Sequence, residues 1–224
     1  MSDIKLLNQL GHMFSLQDEV NKVVDENWAE LNRAWYRAVW TECSELMDHL
    51  VWKWWKKPVP DMEQAKMELV DIWHFGMSDM IVKYGFDEDL ILKCGKTMDN
   101  ATLAFVKRDD YDLLSAVEDF AADTIKTKSF DVFCFTNLLL KFDMSIDELY
   151  FQYVGKNVLN KFRQDNGYKD GSYRKLWKGK EDNIHLSEIL SDLQTLDAVI
   201  GIESVIRAVL EQRYDEALIA EVPL

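Results

Sequence analysis

The chain has 224 residues, of which 48% are hydrophobic and 12% aromatic, and a formal net charge of -14. That length and apolar content support a sizeable core and exclude a disordered chain, while only 9 Gly and 3 Pro argue against an all-β fold with its many turns. The acidic balance argues against a protein that coats nucleic acid, and no stretch approaches the ~20 apolar residues of a membrane span.

In chain order, a period near 3.6 predicts helices over 3–10, 13–30, 32–54, 61–84, 87–107, 110–126, 129–142 and 145–164, with two more over 186–199 and 202–214. The expectation is an all-α helical bundle in one domain, with 95–145 as a cap or insertion. The first residues, "MSDIKLLNQLGHMFSLQDE", lack a basic region followed by a long apolar run, so no secretory signal is expected. Cys43, Cys94 and Cys134 are scattered without a CxxC pair, which fits reduced thiols in the cytoplasm. Asp61 and Asp87 are predicted N-caps, Gly85 a helix stop, and "SIDE" at Ser145–Glu148 a capping box. Residues 166–183, "NGYKDGSYRKLWKGKEDN", cannot form a continuous helix and are read as a structured basic loop.

Four acidic residues stand out because they interrupt apolar helices. A buried carboxylate is costly unless something pairs with it. At 100° per residue, Glu42 and Glu45 lie at about 300° and 240° on a wheel with Val39 at zero; Glu68 and Asp71 take the same angles with Ala65 at zero. Both pairs border an apolar face. They are also symmetric about Lys56–Lys57, so an antiparallel hairpin turning there sets Glu42 opposite Asp71 and Glu45 opposite Glu68. Four converging carboxylates call for a hard cation, and Mg²⁺ fits an all-oxygen set. The alternative is that each ExxE pair lies on a solvated face. His74 falls near 180° on its wheel, away from the acidic pair, and reads as a core or ligand-contacting histidine. The tryptophans of "WKWW" read as core or interface, or as a platform for a ligand at the predicted turn. Lys156, Asn160 and Arg163 share one helical stripe at i, i+4 and i+7; that stripe either holds a polyphosphate or is a basic solvated face.

"ECSE", then "ELVDIWHF", then "KNVLNKFRQDNGYKDGSYRKLW" resemble the dimeric all-α dUTPases of the all-α NTP pyrophosphatase superfamily, which includes phage dCTP pyrophosphatases. The likeness is strong over about 40–80 and 150–177, with an echo in "LQDEVN" at 16–21. It implies Mg²⁺-dependent hydrolysis of a deoxynucleoside triphosphate, dUTP by preference, to the monophosphate and pyrophosphate. It also implies a homodimer. Residue by residue, it implies Glu42, Glu45, Glu68 and Asp71 as metal ligands, Glu42 also orienting the attacking water. Lys156, Asn160, Arg163, Tyr168 and Lys169 match positions that grip phosphates and sugar. Gln17, Asn21, His74 and a tryptophan, Trp52 or Trp55, match positions around the base. A dCTP or broader dNTP pyrophosphatase is the alternative enzyme. A non-catalytic helical interaction protein is the alternative outside enzymes.

Overall fold

The computed structural model describes residues 4–57, 59–107, 110–194 and 201–220. Their fold is all-α, with helices α1 (Ile4–Val24), α2 (Trp35–His49), α3 (Met62–Tyr84), α4 (Glu88–Ala104), α5 (Leu113–Thr127), α6 (Val132–Lys141), α7 (Ile146–Asp165), α8 (Asp182–Gln194) and α9 (Ile202–Ala220). A 3-10 turn at Trp28–Leu31 precedes α2, and a two-residue antiparallel pair, β1 (Leu176–Trp177) with β2 (Lys180–Glu181), precedes α8. The chain divides into two compact units, Met1–Tyr150 and Phe151–Leu224.

In the first unit α3 is the central helix. It buries residues on nearly every side, Leu69, Val70, Ile72, Trp73, Met77 and Met80 among them, as a helix enclosed by others must. The Trp73 ring stacks on Phe135 at 5.3 Å and meets Phe130 at 5.8 Å and Phe14 at 6.2 Å. Gly76 permits this closeness: a Cβ there would lie 2.5 Å from Phe130 Cε2. Aspartates start four helices as side-chain caps. Asp61 accepts from Gln64 N, Asp87 from Leu90 N, Asp112 from Ser115 N and Asp131 from Cys134 N, each satisfying a backbone donor with no partner inside its helix.

Several predicted boundaries shift, for identifiable reasons. The first two predicted helices are one, because α1 runs through Gly11. An interior glycine costs a helix only about 1 kcal/mol relative to alanine, and Leu6, Leu10, Met13, Phe14 and Gln17 keep one buried stripe across it. Helix α2 begins at Trp35 and ends at His49 rather than spanning 32–54. Asn32 takes a left-handed conformation with φ 45°. At the other end Leu50 is extended and Asp61 N donates to His49 O at 3.0 Å. The "WKWW" segment therefore lies in a connection between helices. At the start of α7, Glu148 N donates to Ser145 Oγ at 3.1 Å, while the Glu148 carboxylate accepts from Lys66 Nζ at 2.8 Å.

The second unit is organised around Trp177. Its ring is fully buried and lies within 5.1–6.4 Å of His185, Tyr214, Phe162 and Tyr173. Its Nε1 donates to Arg174 O at 2.7 Å. Lys178 (φ 49°) and Gly179 (φ 81°) turn the short strand pair, the two positive φ angles that suit a tight hairpin. Gly155 lets α7 approach α8: a Cβ there would lie 2.7 Å from Leu190 Cδ2. The tail's apolar face is buried within this chain, with Leu186, Ile189, Leu190, Ile206 and Leu210 all inaccessible or nearly so. The predicted helix over 186–199 lies partly outside the described residues.

Candidate active site

The carboxylate layer forms where α2 packs on α3. Val39, Cys43 and Leu46 bury one face of α2, which carries Glu42 to the border of that face. Glu68 lies within the buried surface of α3, 7% exposed, with Asp71 half-buried one turn on. One carboxylate oxygen from each of Glu42, Glu68 and Asp71 lies within 4.8 Å of the others. Glu45 is exposed and outside this group. His49, on α2 one turn after Glu45, also approaches Glu68, with its Nε2 3.4 Å from Glu68 Oε1. The long connection explains the difference. Helix α2 stops at His49 and α3 starts at Met62, so the pairing is not set by two helices that run up to a turn at Lys56–Lys57. His49 was legible at i+7 from Glu42, on the same stripe.

The group suits a hard divalent cation. Carboxylate oxygens are the ligands that Mg²⁺ takes, and one from each of these three residues lies within 4.8 Å of the others. The neighbouring thiol offers no competing chemistry: burial, followed by the charge of Glu42, pushes Cys43 up to about 12, so at neutral pH it is a packed thiol rather than a nucleophile.

One turn further along α3, three of the residues expected at the base form a single network around Ser78. Gln17 Oε1 lies 2.7 Å from His74 Nδ1. Gln17 Nε2 donates to Asn21 Oδ1 and to Ser78 Oγ, both at 3.1 Å, and Asn21 Nδ2 donates to Ser78 Oγ at 2.9 Å. The Ser78 hydroxyl in turn donates to His74 O at 3.1 Å. Each amide is oriented by its partners, and the Gln17 oxygen fixes the His74 proton on Nδ1. Ser78 was missed in the sequence, although it sits at i+4 from His74. Trp52 and Trp55 form a separate T-shaped pair at 5.3 Å in the 50–61 connection. There Asp48 accepts from Trp52 Nε1 at 3.2 Å and pairs with Lys53.

In the second unit the Lys156–Asn160–Arg163 stripe is present on α7, and it is tied to α8. Arg163 donates from Nε to Asp182 Oδ2 at 2.8 Å and from NH2 to Asp182 Oδ1 at 2.7 Å. It also donates to Asn160 Oδ1 at 3.2 Å and Asn183 Oδ1 at 3.1 Å. Lys156 Nζ donates to the same Asn183 oxygen at 3.0 Å. Asp182 is 0% exposed and also accepts from Tyr173 OH at 2.7 Å. Burial pushes its carboxyl up, but the Arg163 hydrogen bonds and charge outweigh that and hold it below the usual carboxylate range. Tyr168 and Lys169 are exposed beyond the end of α7, where Tyr168 N donates to Arg163 O at 3.0 Å and Gly167 has φ 88°, a glycine-terminated helix end.

A cavity of about 460 Å³ opens elsewhere in the first unit, among Phe105, Tyr111, Phe120, Phe133, Asn137 and Lys141, and contains none of these residues. No described helix is long and apolar enough to cross a membrane. No curated protein matches the chain. A family model described as dUTPase matches residues 9–168, which takes in the network around Ser78, the carboxylate layer and the α7 stripe. The chain belongs to this all-α dUTPase family, a family of nucleoside triphosphate pyrophosphohydrolases.

Proposed function

We propose that the protein hydrolyses dUTP to dUMP and pyrophosphate with Mg²⁺. The gathering of Glu42, Glu68 and Asp71 within 4.8 Å, in a chain of the dUTPase family, carries this reading. Those three carboxylates hold the cation; Glu45, also expected as a ligand from the sequence, is exposed outside the group and adds its negative charge. When bound, Mg²⁺ neutralises phosphate charge and polarises the phosphoryl oxygen. Glu42, which borders the buried face of α2, orients the water and accepts its proton. Lys156, Asn160, Arg163, Tyr168 and Lys169 bind the phosphates and sugar. Gln17, Asn21 and His74 read the base, and Trp52 or Trp55 walls it. The enzyme acts as a homodimer.

The test is a panel of dUTP, dCTP, dTTP, dATP and dGTP with and without Mg²⁺, with monophosphate and pyrophosphate as the measured products. The reading expects Mg²⁺-dependent turnover with dUTP the best substrate. A dCTP preference would replace the substrate and keep the chemistry; no turnover on any nucleotide would sink the proposal.

A further inference from the structure

The segment 95–145 contains none of the residues proposed to hold metal, phosphate, sugar or base, yet it supplies every described residue that lines the cavity of about 460 Å³. That volume falls in the range of ordinary small-molecule sites. The cavity opens among the end of α4, α5 and α6, all within the first unit. Two alanines in its lining, Ala104 and Ala116, leave room that larger side chains would fill.

The lining is ordered along the helices. On α6, Phe133, Asn137 and Lys141 follow at i, i+4 and i+8, so one side of the helix offers a ring, an amide and an ammonium in turn. From α5 comes Phe120, 4% exposed and backed by Phe130 at 6.0 Å and Phe135 at 6.1 Å, a wall anchored in the aromatic core. The two charged groups both meet Tyr111. Its hydroxyl donates to Asp119 Oδ2 at 2.6 Å, and Lys141 Nζ stands 5.6 Å from its ring centroid. The described lining residues thus include one carboxylate and one ammonium, and no net charge selects an ionic occupant.

Asn137 is the polar group left over. Its side chain is partly exposed, lines the cavity and makes no hydrogen bond to a protein group among the described residues. An amide offers a donor beside an acceptor, which matches the C=O and N–H of a cyclic lactam. The rings of Phe105, Phe120 and Phe133 suit a flat aromatic body. Cys134, also in the lining, adds no covalent chemistry: burial, followed by the charges of Asp131 and Asp123, pushes its thiol up to about 12.

We propose that this cavity is a second binding site, separate from the carboxylate layer, for a neutral planar heterocycle with a lactam edge. The Asn137 amide pairs with that edge, and the phenylalanines enclose the ring.

The probe is isocarbostyril, a neutral bicyclic lactam, titrated into the full chain by calorimetry. One molecule should bind per chain, and a saturating non-hydrolysable dUTP analogue with Mg²⁺ should leave that binding unchanged. The N-methyl derivative keeps the ring and loses the N–H; it should bind about tenfold more weakly, the order of a lost hydrogen-bonded pairing. Asn137→Leu should weaken isocarbostyril by a similar factor and make the two probes equal, because removing either partner removes the same pairing. The comparison of probes on wild type reads that pairing without any change to the protein. Equal binding of the two probes to wild type, or unchanged binding to Asn137→Leu, would overturn the assignment. Displacement by the dUTP analogue would also overturn it, by placing the probe at the nucleotide site. So would an absence of binding at millimolar probe, whether the cavity holds the ring too loosely or a second copy of the chain covers it.

Discussion

The carboxylate layer of the first unit and the donor net of the second are both dense ionic clusters, but they are balanced in opposite ways. Glu42, Glu68 and Asp71 bring three carboxylates within 4.8 Å of one another, with the His49 ring 3.4 Å from Glu68. Arg163 carries its counter-ion with it, the fully buried Asp182 held by a bidentate fork. A cluster of like charges gains from a solvent cation, whereas an ion pair already formed within the fold is set before any ligand arrives. The first should respond to metal; the second should respond to mutation of its own counter-ion.

The largest effect expected from that difference is on turnover. Glu68→Gln or Asp71→Asn should lower Mg²⁺-dependent hydrolysis by ~10³-fold, a loss of about 4 kcal/mol of transition-state stabilisation. Stability without metal should hold, because each change relieves repulsion. Thermal melting of the wild type should rise with Mg²⁺, by roughly 2.7 kcal/mol at 100 times the dissociation constant, and that rise should vanish in both variants. A metal response that survives in them would place the ion elsewhere.

For the donor net the expected readout is stability. Asp182→Ala removes the buried carboxylate that Arg163 grips and should cost about 3–5 kcal/mol in urea or thermal unfolding, independent of Mg²⁺. The sign with pH follows from the depressed carboxyl. A folded pKa below the unfolded value of about 3.9 makes the contribution complete above about pH 4 and progressively lost below it, as the carboxyl protonates. Asp182→Asn should therefore unfold at lower urea than wild type at pH 7 and approach it in acid. Parallel loss at all pH values would show that the pair's charge is not what stabilises this unit.

A smaller effect compares how tightly each unit is packed. Gly76→Ala would press a methyl against three atoms of the Phe130 ring, at 2.5–2.7 Å, and Gly155→Ala would press one against the Leu190 side chain, nearest at 2.7 Å. Phe130 is fixed between Trp73, Phe120 and Phe135, whereas a leucine tip can change rotamer. Overpacking costs of order 1–3 kcal/mol, and melting should place Gly76→Ala at the upper end and Gly155→Ala at the lower.

The two clusters also differ in how far the sequence reveals them. Glu42, Glu68 and Asp71 were legible because helical phase alone puts each at the edge of an apolar face. The Lys156–Asn160–Arg163 stripe was legible from its i, i+4, i+7 spacing. What phase does not supply is the partner on another element. The approach of His49 to Glu68 was not foreseen, because register depends on the connection between α2 and α3, whose sequence carries no helical period. Asp182 was invisible because it reaches Arg163 only after a helix end at Gly167, a strand pair and the burial of Trp177. The basic segment 166–183 read as a loop; that it is anchored by Tyr173 and Trp177 depends on Tyr214, far along the chain.

The smallest effect tests where the carboxylate layer ends. Glu45 shares the helical phase of Asp71 but is exposed and outside the group of three. In this arrangement it adds negative potential near the cation without a fixed oxygen beside it, and solvent screens such a charge. Glu45→Gln should then lower turnover at saturating Mg²⁺ by only a few-fold and raise the Mg²⁺ concentration needed for half-maximal activity by a comparable factor. The amide variants of Glu42, Glu68 and Asp71 should stay inactive at any Mg²⁺ concentration. A titration of activity against Mg²⁺ for all four variants separates the cases. A Glu45→Gln enzyme as inactive as Asp71→Asn would mean that the Glu45 carboxylate swings onto the metal when nucleotide binds, completing the four-carboxylate site that its position on the helix predicts.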